Sequence, residues 1–178
     1  MTSMRVVVFG FLVVFFCATC GAQPAGLARP LEGLRPFLGK TWKGHFKGST
    51  PEKPNFDVMR WERALNGQAI RILHSVNNGI YGGETIVMWN PKRGAVESYY
   101  FTTAGFQTRG TIKAEGNKLT SVEQVIGDAD GVTEVRATME LLGGDRLRLQ
   151  SRYLKKGEWV EGRDMTYDPA PDAEVLFQ

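Results

Sequence analysis

The sequence contains very little cysteine or histidine. Among its 178 residues there are two of each, and both cysteines, Cys17 and Cys20, lie close to the N-terminus. Without a later cysteine, the rest of the chain cannot form a disulfide, a cysteine nucleophile or a thiolate metal site. The histidines, His45 and His74, belong to no cluster with the three or four ligands of a zinc site. We therefore predict no metal site, and no residue is assigned a catalytic role.

The chain also has no strong excess of positive or negative charge. Lysine and arginine outnumber aspartate and glutamate by three, and the charged residues make up 23 % of the chain. A nucleic-acid-binding protein is expected to carry a concentrated basic face, so this balance predicts no nucleic-acid partner. The pattern does not indicate an oligomeric state.

The only long apolar run lies at the N-terminus. Arg5 precedes about fifteen largely apolar residues, and small residues follow them up to Ala22. This order is typical of a secretory signal peptide, and the run is shorter than the roughly 20 residues of a membrane-spanning helix. We predict cleavage after Ala22 and a secreted or periplasmic bacterial protein without stable membrane insertion. Lipid attachment at Cys20 is the disfavoured alternative, because residues 17–19 match the lipidation pattern poorly.

The remaining chain divides into a linker, one domain and a tail. Residues 23–29 are small and unpatterned, which predicts a linker, and residues 30–168 predict a single domain with a short N-terminal helical turn. Residues 169–178 form a C-terminal tail. Its last five residues, EVLFQ, resemble the recognition sequence of a picornaviral protease, so we do not argue function from them.

Turn signals recur at nearly regular intervals through the domain. They are Asn66-Gly67, Asn78-Gly79, Asn90–Gly94, Ala104-Gly105, Glu115–Asn117, Gly127–Gly131, Gly143–Asp145 and Lys155–Gly157. Together with a first strand near residues 40–47, they bound ten strands with alternating apolar and polar residues. No long helix is available to cover the apolar face of such a sheet. The pattern predicts an all-β, antiparallel, up-and-down barrel of about ten strands.

Several short motifs resemble the lipocalin-like (calycin) superfamily. They are Phe37–Gly44 with its W-x-G opening, Met59–Glu62, Leu65–Gly67, Glu97–Phe101 and Met165–Tyr167. In this order they resemble a family of bacterial exported lipocalin-like domains. The resemblance implies a barrel closed at one end by Trp42 and the helical turn, with Arg163 stacked on Trp42. The opening also resembles haem-binding nitrobindin barrels, but the late proximal histidine of those barrels has no counterpart after His74, so no cofactor is predicted.

Aromatic residues provide the strongest indication of a ligand. They are spread over six predicted strands, and His74 alternates with Ile70, Ile72 and Val76. Barrels of this size can hold a small molecule if their own side chains do not fill them. The predicted ligand-binding residues are Trp61, His74, Tyr99 and Tyr153. The candidate carboxylates are Glu84, Glu97, Glu123 and Glu161, and the sequence does not decide which of them faces the interior.

Three functions stay open on the sequence alone. The favoured one is binding of a small apolar or amphipathic molecule inside the barrel. The second is an isomerase, hydratase or lyase that uses His74 with an interior carboxylate or tyrosine. The third is a structural or partner-binding envelope protein with a filled core. An apolar interior with one or two polar tips would favour the first, and a carboxylate within hydrogen-bond distance of His74 would favour the second.

Overall fold

Ten antiparallel strands close into a barrel in a computed structural model that describes residues 26–178. Each strand pairs with its neighbours in sequence, and the shortest strand closes the ring against the last. The strands are β1 (Thr41–His45), β2 (Phe56–Ala64), β3 (Ala69–Val76), β4 (Tyr81–Asn90), β5 (Ala95–Thr102), β6 (Gln107–Glu115), β7 (Lys118–Ile126), β8 (Val132–Leu141), β9 (Leu147–Lys155) and β10 (Glu158–Pro169). The predicted all-β, up-and-down barrel is confirmed.

The turn signals explain this topology. Each of the eight predicted turns falls between two consecutive strands. Asn66 and Asn78 adopt positive φ angles of 55° and 58°, a conformation that asparagine tolerates better than most residues. Tight turns leave each strand beside the preceding one, so the sheet grows as a meander until its two edges meet.

A 3-10 helix, Arg29–Phe37, covers one end of the barrel. Pro30 lies in its first turn and Pro36 inside it, which suits a short, irregular helix better than a long regular one. Its buried residues, Leu31, Leu34 and Phe37, pack onto the barrel, where the Phe37 and Trp61 ring centroids are 5.2 Å apart. We call this end the closed end.

Trp42 completes the closed end. Its side chain is fully buried, and its indole Nε1–H donates a hydrogen bond of 2.9 Å to the backbone oxygen of Asp145 in the β8–β9 turn. The contact joins the first strand to a turn about one hundred residues later in the chain. Trp42 therefore occupies the closing position that the resemblance implied.

Both segments that flank the predicted domain pack against the barrel. In the described part of the predicted linker, residues 26–29, Leu27 is buried, and the backbone N–H of Ala28 donates to the oxygen of Gly67. In the tail, the backbone N–H of Leu176 donates to the Ser75 hydroxyl on the outer face of β3. The predicted signal peptide, residues 1–22, lies outside the described residues.

Within residues 26–178, no helix is long and apolar enough to cross a membrane.

We expect Trp42→Ala to lower the free energy of unfolding by about 3–5 kcal/mol, because it removes a buried indole and one hydrogen bond. Trp159→Ala is the matched control. Trp159 lies on the outer face, where the guanidinium carbon of Arg136 is 4.5 Å from its ring centroid, so about 1 kcal/mol is expected. Denaturant midpoints at unchanged slope measure both losses. Equal losses would contradict a closing role for Trp42.

Candidate functional site

The barrel encloses a cavity of about 640 Å³. The cavity reaches the end opposite the 3-10 helix, where residues 128–130 of the β7–β8 turn line it. Most of the wall surface is apolar, and polar side chains lie among the aliphatic and aromatic ones. A volume of this size falls in the range of small-molecule sites. The interior is therefore not filled by the protein's own side chains.

The most buried polar group beside the cavity is the carboxylate of Asp57 at the start of β2. Its side chain is 0 % exposed and accepts hydrogen bonds from three side chains. Oδ1 accepts from His74 Nδ1 at 3.0 Å, and Oδ2 accepts from Arg163 Nη1 at 3.0 Å and from the Tyr167 hydroxyl at 2.8 Å. We call these four residues the Asp57 cluster. Three donors and one positive charge compensate the burial of a charged carboxylate.

Gly44 makes the bond between Tyr167 and Asp57 possible. Gly44 lies between them on the short strand β1, paired with Tyr167 on one side and Asp57 on the other. A Cβ atom at Gly44 would lie 2.9 Å from the Tyr167 ring. Because glycine leaves that space free, the tyrosine crosses β1 and reaches a carboxylate two strands away. The glycine of the W-x-G opening thus has a packing role.

His74 connects the Asp57 cluster to the cavity. Its Nδ1–H donates to Asp57, so in the neutral ring Nε2 accepts from the Tyr100 hydroxyl at 2.7 Å. The Tyr100 oxygen lies 3.0 Å from that of Tyr81, and all three side chains line the cavity. Gly83, beside His74 on β4, leaves room for the Tyr100 ring, which a Cβ atom would overlap. Gly83 therefore permits a close approach of the Tyr100 ring to the β4 backbone.

The surroundings of these groups shift their pKa values. Burial raises the pKa of Tyr100, and nearby Tyr81 raises it further. Burial also raises the pKa of Tyr167, as does neighbouring Asp57. Burial lowers the pKa of the Arg163 guanidinium, but Asp57 and the nearby tyrosines together outweigh that effect, so this pKa lies above its ordinary value. Both tyrosines therefore keep their protons as hydrogen-bond donors, and Arg163 stays charged.

Arg163 lies at a different place from the one implied by the resemblance. Its guanidinium carbon is 5.5 Å from the Phe46 ring centroid, so it stacks there and not on Trp42. Unbroken strand alternation would put Arg163 on the same face as Trp159 and Glu161. The β9–β10 register shifts between Glu161 and Asp164, and this irregularity turns Arg163 inward while Glu161 pairs with Arg152 outside.

Trp61, His74 and Tyr153 line the cavity as proposed from the sequence, whereas Tyr99 does not. Successive side chains of a strand point to opposite faces, and Ser98 and Tyr100 take the inner face of β5. Tyr99 consequently faces outward. Its hydroxyl donates to Glu97 Oε2 at 2.6 Å.

Of the four candidate glutamates, only Glu123 lines the cavity. Glu84 forms an ion pair with Arg71 outside the barrel, and Glu97 is covered by Asn90, Arg93, Tyr99 and Arg109 on the outer surface. On the inner wall, Glu123 Oε2 accepts from the Thr108 hydroxyl at 2.6 Å and Oε1 accepts from Ser121 at 2.9 Å. Below the open end, which Asp128 and Asp130 line, the described residues thus place two separate carboxylates in the interior, Asp57 and Glu123.

Sequence reasoning identified His74 but missed Asp57, to which it is hydrogen-bonded, and Tyr81, whose hydroxyl lies next to that of Tyr100. Asp57 alternates with Met59 and Trp61 along β2, so it shares their inner face. That alternation was the available signal. For Tyr81, the available signal was Gly83, two residues later on the same face of the strand. An inward glycine leaves space for neighbouring aromatic rings.

No group of three histidine, cysteine, aspartate or glutamate side chains between residues 26 and 178 is placed to hold a metal ion. The chain matches no protein-family model and no curated protein. The functional interpretation therefore rests on the geometry of the site.

We expect Asp57→Asn to lower the free energy of unfolding by about 3–5 kcal/mol, because Arg163 loses its counter-charge inside the barrel. Asp164→Asn makes the same chemical change on the outer surface, where the Arg148–Asp164 pair is about half exposed. That control should leave the denaturant midpoint nearly unchanged, since exposed ion pairs contribute little. A similar loss in both variants would contradict a structural role for the Asp57 cluster.

Glu97 should make stability depend on pH in acid. Hydrogen bonds from Tyr99 and then Asn90 lower the pKa of Glu97 from 4.5 to about 2. A lowered folded-state pKa stabilises the protein above pH 4.5, and this contribution is lost as the pH falls towards 2. The difference in urea midpoint between the wild type and Glu97→Gln should therefore shrink over that interval.

Tyr99→Phe removes the strongest of these hydrogen bonds, so it should weaken the same acid dependence. A difference between wild type and Glu97→Gln that is constant from pH 5 to pH 2 would contradict the assignment.

Proposed function

We propose that the protein is an exported, lipocalin-like barrel that binds a small amphipathic molecule in its cavity. The observation that carries this proposal is the cavity of about 640 Å³, whose wall surface is mainly apolar and holds hydrogen-bonded polar groups around Asp57 and around Glu123. The apolar floor at the closed end, formed in part by Trp61, Ile72 and Leu119, suits a hydrocarbon or aromatic body. Burial of that body would supply most of the binding free energy.

The polar groups nearer the open end suit an acceptor head group. Arg163, Tyr81 and Tyr153 line the cavity there. A guanidinium has five N–H groups, and Arg163 donates through Nη1 to Asp57. A ligand carboxylate or carbonyl oxygen would add a charge-assisted acceptor for the others. The ligand would then lie with its head at Arg163 and its apolar body towards Trp61.

Binding can be tested with the neutral fluorophore prodan. We expect prodan to bind with a blue-shifted emission and to be displaced by decanol and decanoate. Ala137→Phe should abolish binding, because residue 137 lines the cavity and a phenyl ring would occupy it. Thr138→Phe makes a comparable addition on the outer face of β8 and should leave binding unchanged.

The position of the ligand's head group can be tested separately. Tyr81→Phe should weaken displacement by decanoate about three- to tenfold, in the range of one hydrogen bond, and displacement by decanol less. Absence of prodan binding to the wild type, or equal binding by both phenylalanine variants of β8, would overturn the proposal.

A second candidate function is acid–base catalysis, favoured by the 3.0 Å contact between His74 and Asp57. Asp57 orients the imidazole and would stabilise the imidazolium form. A substrate C–H proton next to a carbonyl could pass to the Tyr100 oxygen while the Tyr100 proton passes to His74 Nε2. The raised pKa of Tyr100 favours this concerted transfer over a free phenolate.

Proton abstraction can be measured by deuterium exchange at C3 of 2-decanone in D₂O. The wild type should accelerate exchange, and His74→Gln should lose the acceleration while it still binds prodan. Wild-type exchange no faster than that of His74→Gln would exclude this reaction and leave the binding role untouched.

A further inference from the structure

A second polar site lies on the cavity wall formed by β5, β6 and β7, away from the Asp57 cluster. Ser98 pairs directly with Gly110, and Gly110 pairs directly with Glu123. The three residues therefore form one row across the wall, with a glycine in the middle. Neighbouring strands are about 4.8 Å apart, so the outer two backbones lie about 10 Å apart. We call this row the notch.

The two polar residues of the notch are incompletely paired. The Ser98 side chain is 2 % exposed, and its hydroxyl has no hydrogen-bond partner in the structure. Glu123 accepts from the Thr108 and Ser121 hydroxyls and forms no ion pair with any residue in the described range. A carboxylate has about four acceptor positions, so Glu123 can accept further hydrogen bonds. Buried polar groups without partners are rare in folded proteins and often mark where a ligand or water binds.

The row of residues at Gly44 has the same arrangement, but there the polar side chains on the two sides of the glycine are hydrogen-bonded to each other. There too a glycine separates a carboxylate, Asp57, from a residue on the opposite strand, Tyr167. The tyrosine spans the gap with a 2.8 Å hydrogen bond, and Arg163 supplies the positive charge. At Gly110 the opposite residue is Ser98, whose hydroxyl forms no hydrogen bond, and the Glu123 side chain itself lies over the glycine, because a Cβ atom at Gly110 would be 2.6 Å from Glu123 Cγ. The notch therefore lacks both a bridging donor and a cation.

We propose that the notch binds the primary ammonium group of the ligand. The inference rests on the proposed binding function and specifies its ligand class, an amphipathic amine. An ammonium group has three N–H donors and one positive charge, so it can donate to Glu123 and to the Ser98 oxygen at once. Tyr100 pairs directly with Thr108, and Thr108 bonds Glu123, so the notch adjoins the Tyr81–Tyr100–His74 side chains. One ligand could therefore place an amine at the notch and an acceptor oxygen near Arg163.

Displacement of prodan by a matched series of ten-carbon amphiphiles tests the proposal. On the wild type we expect decylamine to displace prodan at about tenfold lower concentration than decanol, a ratio in the range of one charge-assisted hydrogen bond. Decyltrimethylammonium has the charge without N–H groups, so it should show little of this advantage. Glu123→Gln should remove the decylamine advantage and change displacement by decanol less than about twofold.

Two further variants separate the notch from general charge effects and from misfolding. Glu134→Gln makes the same charge change on β8, where Glu134 bonds Gln124 and Arg136, and it should keep the full decylamine advantage. Ser98→Ala removes only the unpartnered hydroxyl and should lower the advantage about threefold. If Glu123→Gln does not fold, Ser98→Ala alone tests the proposal.

The outcomes distinguish this inference from the binding function on which it rests. Prodan binding and displacement by decanol without a decylamine advantage would overturn the notch and leave the binding function standing. Equal displacement by decylamine and decyltrimethylammonium would also overturn it, because charge alone would then explain the effect. No prodan binding to the wild type would overturn both.

Discussion

The buried carboxylate of Asp57 is the constraint on which the open half of the barrel depends. It is 0 % exposed and is held by His74 from β3 and by Arg163 and Tyr167 from β10. These bonds tie β10 to β2 and β3 across β1, the strand at which the ring closes and the shortest of the ten. A buried charge with a missing partner is strongly destabilising, so each donor has to be held in position. The closure of the sheet and the position of His74 are therefore parts of one arrangement.

Inward-facing glycines determine where the large polar side chains lie. Gly44 gives Tyr167 its route to Asp57, Gly83 gives space to the Tyr100 ring, and Gly110 gives space to the Glu123 side chain. In a closed barrel a side chain that crosses a neighbouring strand needs a residue without Cβ below it. Two of these spaces are used by tyrosines and the third by Glu123, beside which we place a ligand amine.

The two candidate functions use the same histidine in different ways. In a binding protein, the Asp57 cluster holds the wall of the cavity and presents Tyr81 and Arg163 to a head group. In an enzyme, the same hydrogen bonds would move a proton between Tyr100 and His74. The Asp57 cluster has a sufficient structural role in joining β2, β3 and β10, so catalysis is not needed to explain it. The cavity has no such structural explanation, which is why ligand binding is the leading proposal.

The sequence by itself determined the architecture. Alternation of period two, eight turn signals and the lack of a long helix outside the N-terminal run were enough to predict ten antiparallel strands in a closed barrel. Alternation also placed His74, Trp61 and Tyr153 inside, because strand periodicity is a local property. It placed Tyr99 inside, where the structure has Tyr100, because the register of β5 could not be read from the sequence. Nor did it indicate the irregularity in β10 that turns Arg163 inward. The Asp57–His74 contact, the stacking of Arg163 on Phe46 and the row of Ser98, Gly110 and Glu123 were decided only by the tertiary structure, because each depends on which residues of neighbouring strands lie side by side around the closed ring.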